Sequence, residues 1–175
     1  MTPPVDRFVV VPAAYVYLRR DDEVLLQLRQ GTGYMDGHWA AAAAGHVERG
    51  ETAYAAAHRE AAEELDVADL DLEFVTTMHR TAGDLPIDER VDFFFTARTW
   101  SGVPRIVEPE KCAGLAWWPL AALPTPVVPH EAVVLTALRT GGMPAYSTVG
   151  FVSDPSPDTT SPTSQPDSQP LGGTR

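Results

Sequence analysis

The chain has 175 residues, 44% of them hydrophobic, and a formal net charge of −11 from 13 Lys+Arg against 24 Asp+Glu. That apolar share suits one domain with a proper core and excludes wholesale disorder, and the acidic surface disfavours nucleic-acid polymers and anionic membranes as partners. A lone cysteine, Cys112, excludes an internal disulfide framework, and neither a membrane-spanning run nor a signal-peptide pattern is present, so a soluble cytoplasmic protein is expected.

Phe8 to Leu18, rich in Val, Tyr and Ala, predicts a strand, and Val24 to Leu28 predicts a second. The polar run Arg19 to Glu23 between them reads as a hairpin turn. Gly31, Gly33 and Gly37 mark a loop. Glu51 to Leu65 is dominated by strong helix formers, and Thr52 is placed to cap its start. Leu70 to Met78, Arg90 to Thr99 and Leu115 to Leu120 predict three more strands. His130 to Arg139 predicts a second helix, preceded by Pro129 and closed by Gly141-Gly142. Strands on both sides of a central helix indicate a mixed α/β layered domain. Composition changes after Phe151. The last 24 residues hold 5 Pro, 5 Ser and 4 Thr, with Val152 and Leu171 the only aliphatic ones. Such a segment buries too little to offset its ordering entropy, so the expected division is a domain over 1–151 and a disordered tail over 152–175.

The most informative stretch runs from Gly45 to Glu64. On a helix, Glu60, Glu63 and Glu64 stand at i, i+3 and i+4 and project from one face, where like charges repel. Clustered helix glutamates are usually a solvated face, and a hard divalent cation is the other way to offset the repulsion: Mg2+ and Mn2+ favour oxygen ligands. Arg59 and Glu51 are placed to pair across neighbouring turns. The wider pattern is harder to reach by chance. Gly45, Glu51, Arg59, Glu60, Glu63 and Glu64 fix six positions, with a chance probability on the order of 10⁻⁷ per window at average residue usage.

These six residues resemble the Nudix box, G-x5-E-x7-R-E-U-x-E-E-x-G-U with U aliphatic, and Ala61 and Val67 fill the U positions. The resemblance extends over roughly residues 8–140. It implies an α/β/α sandwich with a mixed sheet and a metal-dependent pyrophosphohydrolase acting on a nucleoside diphosphate linked to another group. Two departures stand out. Asp66 replaces the last Gly, at an expected helix C-terminus where Asp tolerates the left-handed conformation. Five alanines, Ala40 to Ala44, replace the usual aliphatic residue and Pro, and they are expected to form a small, smooth loop.

The resemblance further implies that Glu60, Glu63, Glu64 and the Ala44 carbonyl hold Mg2+ or Mn2+, with Arg59 and Glu51 completing the catalytic constellation. Glu60 is the expected general base and Glu110 the fallback; Glu108 and Glu110 precede a strand, in reach of a fourth acidic ligand position. Arg29, at the end of the second strand, is the expected phosphate contact. Tyr34, Phe93, Phe95, Trp117 and Trp118 are candidate walls for a nucleobase, and one ring of the Trp117-Trp118 pair is expected inside and one outside. His38, His46, His58, His79 and His130 show no metal spacing and read as ordinary polar residues. The expected partner is a small nucleotide-type substrate, not a nucleic-acid polymer or a membrane. Other readings are a catalytically silent nucleotide-binding module and an isomerase of the prenyl diphosphate type, for which Cys112 is the one available cysteine. Oligomeric state is not encoded legibly.

Overall fold

The computed structural model describes residues 8–83 and 85–151, so the expected tail over 152–175 lies outside the described residues. The first strand, β1 (Val11–Arg20), turns through Asp21 and Asp22 into β2 (Glu23–Arg29). Asp21 takes φ +48, a left-handed value that short polar residues accept. The hairpin is brief: β1 and β2 pair only at Arg19–Val24 and Arg20–Glu23, then diverge into two sheets. The turn is therefore two residues, tighter than the five-residue polar run, and Phe8 to Val10 lie outside β1.

Two short strands follow, β3 (Trp39–Ala41) and β4 (Ala43–His46). They correct the expectation of an alanine loop. Ala40 to Ala43 are all buried, and their single methyl groups let neighbouring layers approach closely. After the helix α1 (Ala53–Leu65) come β5 (Leu72–Arg80), β6 (Arg90–Ala97), β7 (Cys112–Pro119), the helix α2 (Pro129–Thr140) and β8 (Tyr146–Val149), with a 3-10 turn at Pro86–Asp88. The larger sheet runs β4-β1-β6-β5-β8, with β1 parallel to β6, β5 parallel to β8, and antiparallel pairs elsewhere. The smaller, antiparallel sheet has β2 between β3 and β7.

Alternation along β1 divides the core. Ala14, Val16 and Leu18 pack with Ala56, Ala57, Ala61 and Leu65 of α1, and Ala13, Tyr15 and Tyr17 pack with Val134 and Leu135 of α2. The central sheet is thus covered on both faces, an α/β/α sandwich. The same coverage corrects the tryptophan expectation. Trp117 faces the first cluster and Trp118 the second, and both are half-buried. Among the described residues no helix is long and apolar enough to cross a membrane.

Both ends of α1 follow the sequence. Thr52 Oγ1 accepts from the Ala55 amide at 3.1 Å, satisfying one orphan donor of the first turn. Thr52→Ala should cost about 1 kcal/mol, read as a lowered denaturant midpoint at unchanged m-value. Asp66 adopts φ +58, ψ +41, the left-handed cap, with its amide donating back to Ala62. Its carboxylate accepts from Arg105 at 2.8 Å, a partner that glycine could not have held.

Candidate active site

The short β4 strand and the C-terminal half of α1 bring the box residues together, and Arg59 is their hub. Its guanidinium donates to Glu51 through Nη2 at 2.7 Å and Nε at 3.3 Å, to Glu60 at 2.6 Å and to Glu63 at 3.1 Å. A further bond reaches the His46 carbonyl at 3.0 Å, fastening α1 to the end of β4. Glu51 uses the same carboxylate to accept from the Glu48 amide at 2.7 Å. The expected Arg59–Glu51 pair is therefore present and braces the loop before the helix. Bonding to Glu51 first, and to Glu60 and Glu63, raises the Arg59 pKa, and bonding to Arg59 holds Glu51 below the usual carboxylate range.

Glu60 lies beneath β4, close against Gly45. A Cβ at Gly45 would overlap the Glu60 carboxyl, so the carboxyl can keep this seat only beside a glycine. Gly45→Ala should force that carboxyl from its seat and lower any activity by about 100-fold, the usual cost of ångström-scale misplacement. An unchanged far-ultraviolet circular dichroism spectrum would show that the fold survives.

Glu64 is deeper, accepting from the Ala44 amide at 2.8 Å. Burial is the main cause that pushes its pKa up to about 7, with Glu60 and Glu108 adding repulsion. Burial also raises Glu60. For metal-free protein the consequence has a definite sign. The unfolded Glu64 carboxyl loses its proton near pH 4.3, and the folded one keeps it until about 7, so stability falls as pH rises through that window. The gain in melting temperature from Glu64→Gln should be small below pH 4 and reach about 3–6 °C by pH 8.

Glu60, Glu63 and Glu64 line one cavity of about 420 Å3 together with Ala44, Gly45, His46, Gln27, Arg29, Thr32, Glu108 and Lys111. Glu108 borders this space and Glu110 does not; the Glu110 side chain is exposed on the turn between β7 and the preceding loop. Arg29 reaches it from the end of β2, held by Tyr34 O and Thr32 Oγ1, each at 3.0 Å. Of the five candidate walls, Tyr34 alone borders this region, in a second cavity that adjoins the first. Phe93, Phe95 and Trp117 pack into the α1 side of the core, and Trp118 packs edge-on to Trp39.

Among the described residues no three His, Cys, Asp or Glu side chains are gathered as a metal site. Arg59 is the reason: it bonds Glu60 and Glu63, and Glu64 turns to the Ala44 amide. The donor set nevertheless fits a hard divalent cation. It is all oxygen, and its three carboxylates lie along one helix face and border one cavity.

The second cavity, about 360 Å3, shares Arg29, Ala44, Gly45 and His46 with the first and continues to Arg80, Arg90, His130 and Glu131. No sequence motif singles out these last four, and His130 reads from sequence as an ordinary polar residue. The available signal was Arg90-Val91-Asp92 in an otherwise apolar strand, which alternation points into the core.

Comparison with known proteins agrees with this architecture. A NUDIX domain family model matches residues 10–138. An isopentenyl-diphosphate Delta-isomerase from Jannaschia sp. (strain CCS1) is 33% identical over 114 residues, which is 63% of this chain and 65% of that protein. The chain thus spans just under two thirds of that relative's length. A MutT NUDIX hydrolase from Burkholderia pseudomallei superposes with a TM-score of 0.66 at 26% identity, over 73% of this chain and 97% of that one. An ADP compounds hydrolase shares the fold with a TM-score of 0.59 at 21% identity, over 77% and 74% of the two chains. With its box on β4 and α1 and its sheet covered on both faces, the chain belongs to the NUDIX domain family.

Proposed function

We propose that this protein is a divalent-metal-dependent hydrolase of diphosphate bonds, cleaving a nucleoside diphosphate linked to another group. One observation carries the reading: three box carboxylates and two cationic side chains, Arg29 and Lys111, line the same cavity. Glu60, Glu63, Glu64 and the Ala44 carbonyl are the residues that would hold Mg2+ or Mn2+. When bound, the cation neutralises phosphate charge and lowers the pKa of a ligated water. Arg29 grips a phosphate oxygen through its guanidinium fork. Glu60 takes the proton from the attacking water. Arg59 holds Glu51 and the box carboxylates in register.

The isomerase relative raises a second reading, protonation of an isoprenoid double bond by Cys112. The position of that cysteine speaks against it. Cys112 is buried, donates to the Gly114 carbonyl at 3.2 Å, and borders a crevice of only about 10 Å3, which adjoins the glutamate cavity at Glu64 and Glu108 but is too small to seat an isoprenoid double bond against the thiol. A panel of nucleoside triphosphates, dinucleotides, nucleotide sugars and isopentenyl diphosphate, each with Mg2+, separates the readings. Diphosphate cleavage that Cys112→Ala leaves intact supports hydrolysis. Tight nucleotide binding without turnover would replace it with a silent binding module, and allylic product alone with the isomerase.

A further inference from the structure

Alternation along β1 points Ala13, Tyr15 and Tyr17 at α2, and the next residue on that face is Arg19. A cation thus stands where the pattern asks for an apolar core residue. Arg19 is half-buried, and its Nε is buried with no hydrogen-bond partner among the described residues. A buried donor left this way loses its water and gains nothing in return. Asp22 and Glu73 attract the guanidinium from farther off, but among the described residues neither forms an ion pair with it. Burial and then the like charge of Arg98 hold its pKa below the usual arginine range.

Arg19 borders a cavity of about 300 Å3 between the sheet and the C-terminal end of α2. This cavity shares no residue with the glutamate cavity or with the one adjoining it, and it lies at the other end of the helix. Its polar floor is a row across the sheet. Thr96 pairs with Tyr17 on one side and with Glu73 on the other, so Arg19 and Glu73 come from β1 and β5, two strand spacings or about 10 Å apart. Val75, Leu138 and Met143, all packed against the core on the α2 side, supply apolar wall. The helix end adds acceptors. The Gly141 and Gly142 amides both donate to the Ala137 carbonyl, at 3.0 and 3.2 Å, so the Leu138 and Arg139 carbonyls lie beyond the helix's own bonds and carry the negative end of its dipole.

We propose that this cavity is a second ligand site, separate from the glutamate cavity, that takes a small zwitterion with an apolar body, of which an apolar α-amino acid is the simplest case. Each simpler ligand leaves a wall unmatched. A plain carboxylate satisfies Arg19 but meets Glu73 and the carbonyl end of α2. A plain amine satisfies Glu73 and the carbonyls but meets Arg19 and Arg98. A hydrocarbon leaves Arg19 Nε unpaired. An α-amino acid sets its carboxylate on Arg19, its ammonium on Glu73 and the α2 carbonyls, and its side chain on Val75, Leu138 and Met143. A volume of about 300 Å3 is at the small end of ligand cavities, in keeping with such a molecule. The site does not depend on the diphosphate reading.

The test uses the full chain and three probes of like shape: L-leucine, isocaproate, which lacks the ammonium, and isopentylamine, which lacks the carboxylate. Isothermal titration calorimetry should rank leucine first, with each single-charge probe weaker by about 10-fold or more. Arg19→Met should weaken leucine binding by about 10-fold or more. Glu73→Gln should weaken leucine severalfold and strengthen isocaproate, because the repelling carboxylate is gone. Nitrogen-15 spectra of the native protein locate the site without relying on any variant to fold, and leucine should shift the Arg19 Nε–H resonance. Native leucine affinity in folded Arg19→Met or Glu73→Gln protein overturns the proposal. So does either single-charge probe binding as tightly as leucine, or an Arg19 Nε–H resonance that leucine leaves unmoved.

Discussion

Glu60→Gln should lower kcat by about 10²- to 10⁴-fold, the range for loss of a positioned general base, and should raise the stability of the metal-free protein. The two effects share one cause. Burial raises the Glu60 pKa, so the folded protein holds its ionised form at neutral pH against a desolvation penalty. The amide removes that penalty and with it the base. Loss of rate with a gain in melting temperature is the expected signature of a carboxylate kept for chemistry. A variant with native kcat would move the base elsewhere, and Glu108, which borders the same cavity, would be next to test.

Arg59→Met should be the most damaging single change near the site. Its guanidinium bonds three carboxylates and one carbonyl, and its removal leaves Glu51, Glu60 and Glu63 to repel one another. The partners are partly screened, with Glu63 60% exposed and Glu51 and Glu60 nearer 18% and 12%. A cost of about 2–3 kcal/mol is therefore reasonable, below that of a fully buried pair. Activity should fall by at least about 100-fold as Glu51 and the loop it braces lose their anchor. Added Mg2+ should restore more stability to this variant than to the native protein, because the cation takes over the lost charge. Thermal melts with and without Mg2+ check it, and equal Mg2+ responses would show that Arg59 and the cation do not share partners.

Much of this site was legible because it is local. Glu60, Glu63 and Glu64 fall on one helix face by spacing alone, Thr52 announces the cap, and Asp66 takes the left-handed turn that its position demands. The elements that escaped were those with weak local signals. Alanine has little strand propensity, so β3 and β4 read as loop until pairing with β2 and β1, and burial of β4 against α1, formed them. Tyr146–Val149 is four residues in a Gly- and Pro-flanked stretch, and becomes β8 only through its parallel pairing with β5. The second cavity was less visible still. His130 and Glu131 meet Arg80, Arg90 and Asp92 only because β5, β6 and α2 converge, and no spacing along the chain records that. Even Arg59, whose pairing with Glu51 was expected, gained Glu60 and Glu63 from side-chain geometry that sequence does not fix.

The acidic face of α1 is the centre of the functional reading, and Mn2+ titration followed by electron paramagnetic resonance tests it most directly. The native protein should bind Mn2+, with Mg2+ competing for the same site, and Glu64→Gln and Glu63→Gln should each weaken binding by at least about 10-fold. Native Mn2+ affinity in both variants would contradict the assignment and leave the three glutamates as a solvated face organised by Arg59.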